Sequence, residues 1–161
     1  MAIHYDALIN TPFGAIAIST HAGQLAMELL TESPSSENIQ PNNPVVAKAY
    51  DQVMCYLQKP NFVFDRSAMP QGTAYQQRVW QAIADIPYGQ VRTYGQLART
   101  IGSGPRAVAN ACGANMMPVI IPCHRVVAQN SIGGFMQSKL NGLAVKKWLL
   151  KHEGVDISQY E

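Results

Sequence analysis

The stretch "TYGQLARTIGSGPRAVANACGAN", residues 93–115, limits the fold more than any other part of the chain. Thr93 and Gln96 stand at the spacing of a capping box, in which the two side chains satisfy free backbone amides at a helix start. Tyr94, Leu97 and Ile101 follow at helical spacing. Gly102, Ser103 and Gly104 make a tight turn, and Pro105 takes the first position of a new helix, where its missing N–H costs nothing. Two short helices about a glycine turn are a helix-turn-helix, predicted at about 93–114. Its second helix is poor in bulk, with Ala107, Ala109, Ala111 and Gly113. Small side chains let a backbone approach something grooved, although helix–helix packing uses alanines in the same way. Arg106 falls in the first turn, where a cation opposes the helix dipole, so local stability does not explain it.

The flanking segments have different textures. "HYDALINTPFGAIAIST" and "GQLAMELL" alternate like paired strands about a Pro-Gly turn. "TESPSSENIQPNNP" is a polar loop, and "VVAKAYDQVMCYLQKP" is a helix stopped by Pro60. After a joint near "RSAMPQG", Thr73 and Gln76 form another capping pair, opening a helix with Tyr75, Val79, Trp80, Ile83 and Ile86 on one face. "VIIP" (119–122) is predicted as a buried strand. "LAVKKWLLKHEG" is an amphipathic helix with Leu143, Trp148 and Leu149 inward, stopped at Gly154. The class is therefore α+β (a broad α/β mixture), with an N-terminal α+β domain at 1–68 and a mostly helical C-terminal domain at 69–161.

Charge divides the same way. Residues 1–72 carry three Lys or Arg against six acids, and 73–161 carry nine against four, so the net +2 hides a basic second half. Such a half suits a polyanion, nucleic acid above all. Cys55, Cys112 and Cys123 are too few and too scattered for a disulfide framework, and Asp6 sits where a signal peptide needs an apolar core. No apolar run approaches a membrane span. These features place the protein in the cytoplasm, without a membrane partner.

"IPCHRVV" (121–127) sets a cysteine beside a histidine. A thiol attacks as thiolate, and an imidazole makes thiolate available near neutral pH. In extended chain the two side chains would point to opposite faces. Either the backbone turns after Pro122, or a water carries the proton between them. Glu153 is the candidate to orient His124. A buried cysteine beside an incidental histidine is the plain alternative. Zinc-ligand spacing is absent, so no metal is expected.

"IPCHRVV", preceded by "RAVANACGANMMPVI" and followed by "LAVKKWLLKHEG", closely resembles the O6-alkylguanine-DNA alkyltransferases (methylated-DNA–protein-cysteine methyltransferases). The likeness takes in "GTAYQQRVWQAIADIPYGQVRTYGQLA" and so most of the second half; the first half matches only a small variable RNase H-like domain. The resemblance implies repair by direct reversal on double-stranded DNA carrying O6-alkylguanine. The helix-turn-helix would enter the minor groove, Arg106 would replace the extruded base, and Tyr94 would crowd the phosphate or meet the base edge. Cys123 would take the alkyl group after His124, supported by Glu153 and acting through water, removes its proton. Asn115 would tie the recognition helix to the cysteine turn. Ala107 and Arg125 would join the DNA contacts, and the carbonyls of Cys123 and Val126 would accept from the exocyclic amine. Since a thioether would result, the protein would be consumed once, as a monomer and without cofactor; activity on O4-alkylthymine and cooperativity on DNA stay open.

The chain departs from the family at "GGFMQSKLNG", where the family shows Gly-Gly-Tyr-Ser-Gly-Gly. Phe135 replaces the tyrosine, leaving Ser138 or a backbone amide to donate to O6. The turn "IGSGPRAV" is also shorter than usual in the family. Cys112 is expected to be a packing thiol. A damage-flagging relative without chemistry would lack Cys123, a transcriptional regulator would carry a further metal-binding cysteine domain, and a cysteine hydrolase would need an oxyanion motif.

Overall fold

Short runs of consecutive apolar residues give the first three strands a sheet whose two faces are both buried. The computed structural model describes residues 5–67, 69–135 and 141–160. Strands β1 (Ala7–Thr11), β2 (Gly14–His21) and β3 (Gln24–Leu30) form an antiparallel meander in that order. Ile9, Ile16, Ile18 and Leu29 face the main core, while Leu8, Ala15 and Ala17 make a small cluster on the other face. The β2–β3 connection is Ala22-Gly23, both with positive φ, the two-residue turn whose twist matches a hairpin. A Cβ on Gly14 would lie 2.0 Å from the Leu30 carbonyl oxygen, so only glycine fits that approach.

Helix α1 (Pro44–Gln58) covers the sheet. Asn43 caps it by accepting the Val46 amide, and Pro44 occupies its first turn. Val46, Ala49, Tyr50, Val53 and Tyr56 form its buried stripe.

Helices α2 (Ala74–Ala84), α3 (Tyr94–Ile101) and α4 (Pro105–Gly113) build the helical part of the second half. The capping boxes of Thr73/Gln76 and Thr93/Gln96 both form. Gly102 ends α3 in the left-handed region (φ 68°), where glycine carries no Cβ penalty, and α4 departs from Pro105. Helix α2 clamps this pair: Tyr75 shares a hydrogen bond with Ser103 (2.7 Å), and Trp80 Nε1 donates to the Ala111 carbonyl (2.9 Å). Strand β4 (Arg92–Thr93) runs parallel to β5 (Val126–Val127), and helix α5 (Gly142–His152) follows.

Two expectations are corrected. "VIIP" is buried but is no strand: Val119 adopts φ 76°, and the Ile121 amide donates to the Met117 carbonyl, closing a tight turn. Hydrophobicity measured the burial and could not register the turn. On α5, Leu143 is 46% exposed; the inward stripe is Gly142, Val145, Lys146, Leu149 and Leu150. That stripe keeps helical spacing back from Glu153, and Gly154 (φ 78°) stops the helix as expected.

One buried cluster runs continuously from Ala7 to Leu149 through both halves. Each fully buried Ile or Leu contributes about 1.5–3 kcal/mol. Polar ties reinforce the junction: the Met27 amide donates to the Met116 carbonyl (2.9 Å), and Arg66 Nε donates to the Ile120 carbonyl (2.7 Å). Among the described residues, no helix is long and apolar enough to cross a membrane.

Candidate active site

The chain turns directly after Pro122. Residues Cys123–Arg125 form one turn of 3₁₀ helix, so the adjacent side chains are splayed by a tight turn and not by an extended strand. Cys123 lines a cavity of about 800 Å³. Its walls include Tyr94 from α3, Asn110 and Cys112 from α4, Phe135, and Met27 to Leu29 from β3. Cys123 is thus 7% exposed, in the lining of a cavity beside the helix-turn-helix.

Asn115 joins α4 to this turn. Its Nδ2 donates to the Ile121 carbonyl (3.0 Å) and to Cys123 Sγ (3.2 Å), and its Oδ1 accepts the Met117 amide (2.8 Å). The neighbouring Cys112 thiol, the Asn115 amide and the Lys146 ammonium hold Cys123 below the usual thiol range, against burial, which pushes it up. Cys112 moves the opposite way: its contact with Cys123 and its burial push it far up, so of the two thiols Cys123 is the one that ionises more readily.

Behind the cysteine lies a buried polar relay. His124 is 0% exposed, and its Nε2 meets Glu153 Oε2 at 2.6 Å. Arg125 Nε donates to Glu153 Oε1 (2.7 Å), and Tyr56 Oη donates to Oε2 (2.6 Å). Burial would raise the Glu153 carboxyl, but His124 and Arg125 outweigh it and hold the group at about 2. An ionised carboxylate can only accept, so Nε2 carries the imidazole proton. Burial lowers His124, with help from Arg125 and Lys146, so the ring is neutral and Nδ1 keeps a lone pair. That Nδ1 is buried without a protein hydrogen-bond partner, leaving it available as a proton acceptor.

Lys146 and Tyr56 are the members of this cluster that sequence reasoning missed. Lys146 is fully buried, with Nζ donating to the carbonyls of Val126 (2.6 Å) and Gly134 (3.0 Å), and burial lowers it to about 8. A lysine and a glutamate in register on the apolar stripe of α5 was the signal for Lys146. Tyr56 signalled itself more weakly, as a tyrosine on the core face of α1, where a buried hydroxyl needs a partner.

The expected DNA-side residues divide. Tyr94 lines the cavity, and burial, then Cys112 and Cys123, push its hydroxyl up to about 12, so it remains a donor. Arg106 is exposed at the start of α4 and makes no hydrogen bond or ion pair among the described residues; Ala107 beside it is half-buried. Phe135 lines the cavity beneath Lys146, whose Nζ lies 5.9 Å from the ring centroid. Arg125 is a correction: it is 6% exposed and spent on Glu153 and the Ile86 carbonyl (2.7 Å), because the buried carboxylate needs a cation. Val126 is fully buried outside the cavity wall, and its carbonyl already accepts Lys146. Ser138 lies outside the described residues.

A buried thiol held below the usual range, next to a histidine in the chain and lining a cavity walled by a helix-turn-helix in a basic half, is the arrangement of a cysteine protein that meets DNA. Residues 74–155 match the DNA-binding domain of 6-O-methylguanine DNA methyltransferase. A methylated-DNA–protein-cysteine methyltransferase of Methanosarcina acetivorans is 32% identical over 158 residues, covering 93% of this chain and 98% of its own. A probable methylated-DNA–protein-cysteine methyltransferase of Acanthamoeba polyphaga mimivirus is 50% identical over 84 residues, 51% of this chain and 54% of its own. The crystal structure of Mycobacterium tuberculosis OGT in complex with DNA superposes with TM-score 0.72 at 34% identity, covering 98% of this chain and 95% of that one. The chain belongs to the methylated-DNA–protein-cysteine methyltransferase family.

Proposed function

We propose that this protein repairs DNA by direct reversal, moving the alkyl group of O6-alkylguanine irreversibly onto Cys123. DNA is its partner, and the acceptor is the protein's own cysteine. The observation that carries the reading is the thiol itself: Cys123 Sγ opens into a cavity walled by the recognition helix, with Asn115 donating to it and a neutral histidine behind it.

Helix α4 enters the minor groove, where its small side chains allow close approach and Arg106 fills the space left by the extruded guanine. Extrusion costs a few kcal/mol, less for a poorly paired lesion. The cavity is of the size that encloses a small ligand. His124 Nδ1 takes the thiol proton through a water, and Glu153 steadies the imidazolium that forms. The thiolate attacks the alkyl carbon in line; the S–C bond forms, the C–O6 bond breaks, and the electron pair leaves with guanine, which is then protonated. Tyr94, held protonated, donates to the base edge.

Residues 69–161 carry DNA binding and transfer, while 1–68 supply one cavity wall and the rear of the relay. The protein works as a monomer. Its three free thiols suit a reducing cytoplasm.

The test is intact-protein mass spectrometry after mixing with an O6-methylguanine duplex, followed by peptide mapping. One methyl group gained per molecule, mapped to Cys123 and absent from Cys123→Ser, is the expected result. An unmodified Cys123, or turnover beyond one equivalent, refutes the assignment.

A further inference from the structure

The relay behind the cysteine is completed from the other half of the molecule. Tyr56, on α1, is 1% exposed and donates Oη to Glu153 Oε2, the same oxygen that receives His124 Nε2–H. Its ring is held between Phe64 (centroids 5.5 Å apart) and His152 (5.1 Å), and His152 Nε2 donates to the Tyr56 carbonyl (2.9 Å). The hydroxyl is therefore fixed in place by contacts unrelated to the carboxylate.

We infer that Tyr56 is a positioning residue for alkyl transfer: its hydroxyl orients the Glu153 carboxylate and limits the charge that Oε2 presents to His124, keeping the imidazole neutral with Nδ1 free. The inference rests on the reading of Cys123 as nucleophile and His124 as base. Oε2 shares its charge between two donors. With one removed, the oxygen would pull harder on His124 Nε2–H and favour imidazolium. An imidazolium carries a proton on Nδ1 and cannot accept one from the thiol. Tyr56 itself stays protonated, since burial and Glu153 push its hydroxyl well above the usual range. The other groups facing the relay are Arg125, which takes Oε1, the Lys146 ammonium, and Tyr88 and Arg66 at longer reach. Arg125 and Lys146 also disfavour imidazolium, so Tyr56 acts in the same direction as two neighbouring cations.

The experiment compares wild type, Tyr56→Phe, Tyr56 replaced by 3-fluorotyrosine, and Tyr50→Phe as a control on the same helix, where Tyr50 bonds Gln40 instead. Two quantities are read: the His124 Nε2 proton resonance at fixed neutral pH, and the pH dependence of single-turnover methyl transfer. Tyr56→Phe is expected to move the resonance downfield and to raise the acid limb of the transfer profile by about one pH unit, a tenfold rise in proton affinity. The fluorinated side chain keeps the shape and donates more strongly, so it moves both readouts the other way even if the Phe variant folds poorly. Tyr50→Phe leaves both unchanged. A His124 resonance that ignores every change at position 56 overturns the inference, as does an acid limb fixed at the wild-type position. If the resonance moves while wild type itself transfers no methyl group, the reading of function fails and the electrostatic role of Tyr56 stands.

Discussion

Replacing Glu153 by glutamine tests the buried relay as a source of stability. The carboxylate accepts from His124, Tyr56 and Arg125 while 1% exposed. Moving a carboxyl from 4.5 to about 2 on folding contributes about 3 kcal/mol at neutral pH. Breaking a buried ion pair by removing one partner costs a similar 3–5 kcal/mol, because the Arg125 charge is left uncompensated. Glu153→Gln is therefore expected to lose about 3 kcal/mol at pH 7 in urea denaturation. The sign fixes the pH course. A carboxyl lowered on folding stabilises fully above its unfolded value, so the gap persists at pH 5 and closes as pH falls from 4.5 towards 2. His124 is also lowered on folding, so both proteins weaken below pH 6.5; without Glu153 its proton affinity drops further, and the gap does not narrow there. Equal stabilities at pH 7, or a gap as wide at pH 3 as at pH 7, would refute this account.

Asn115→Ala removes the donor to Cys123 Sγ and should raise its thiol pKa; a hydrogen bond to a charged group is worth about 1.5–3 kcal/mol, so transfer at pH 7 slows by about tenfold or more. The deficit should shrink as pH rises, and a pH-independent loss would point to misfolding instead. Lys146→Met takes a buried cation from beside the sulfur and should likewise shift the transfer profile upward, with DNA affinity preserved. A weakened DNA affinity with an unchanged profile would place Lys146 in binding. Arg106→Ala should slow repair of paired duplex more than repair of single strands, by roughly tenfold, since only duplex extrusion leaves a gap to fill. Equal losses on both substrates would count against that role.

Local chemistry made the helical half readable. Both capping boxes, the glycine turn and Pro105 act within a few residues, and each formed as expected. Glu153 could be named from sequence as the acid at the end of the last helix that could orient His124, and the family resemblance then implied the same pairing. Arg125 could not be placed that way, since its destination depended on a carboxylate 28 residues later that needed a buried cation. Val119 defeated the strand expectation because apolar periodicity reports burial and carries no information on the sign of φ. Tyr56 lies 97 residues from Glu153, and only tertiary contact, with His152 of α5 against the Tyr56 ring, brings them together. Long-range polar partners were the illegible part.

Helix α5 carries Lys146 on its buried stripe, Glu153 caps its C-terminal end, and Gly154 follows as the stop. Its chemically important residues are thus indexed from the C-terminal end, like marks on a ruler read backwards from its stop. Because both are counted from that stop, their mutual spacing is set by the helix itself and not by the residues that lead into it.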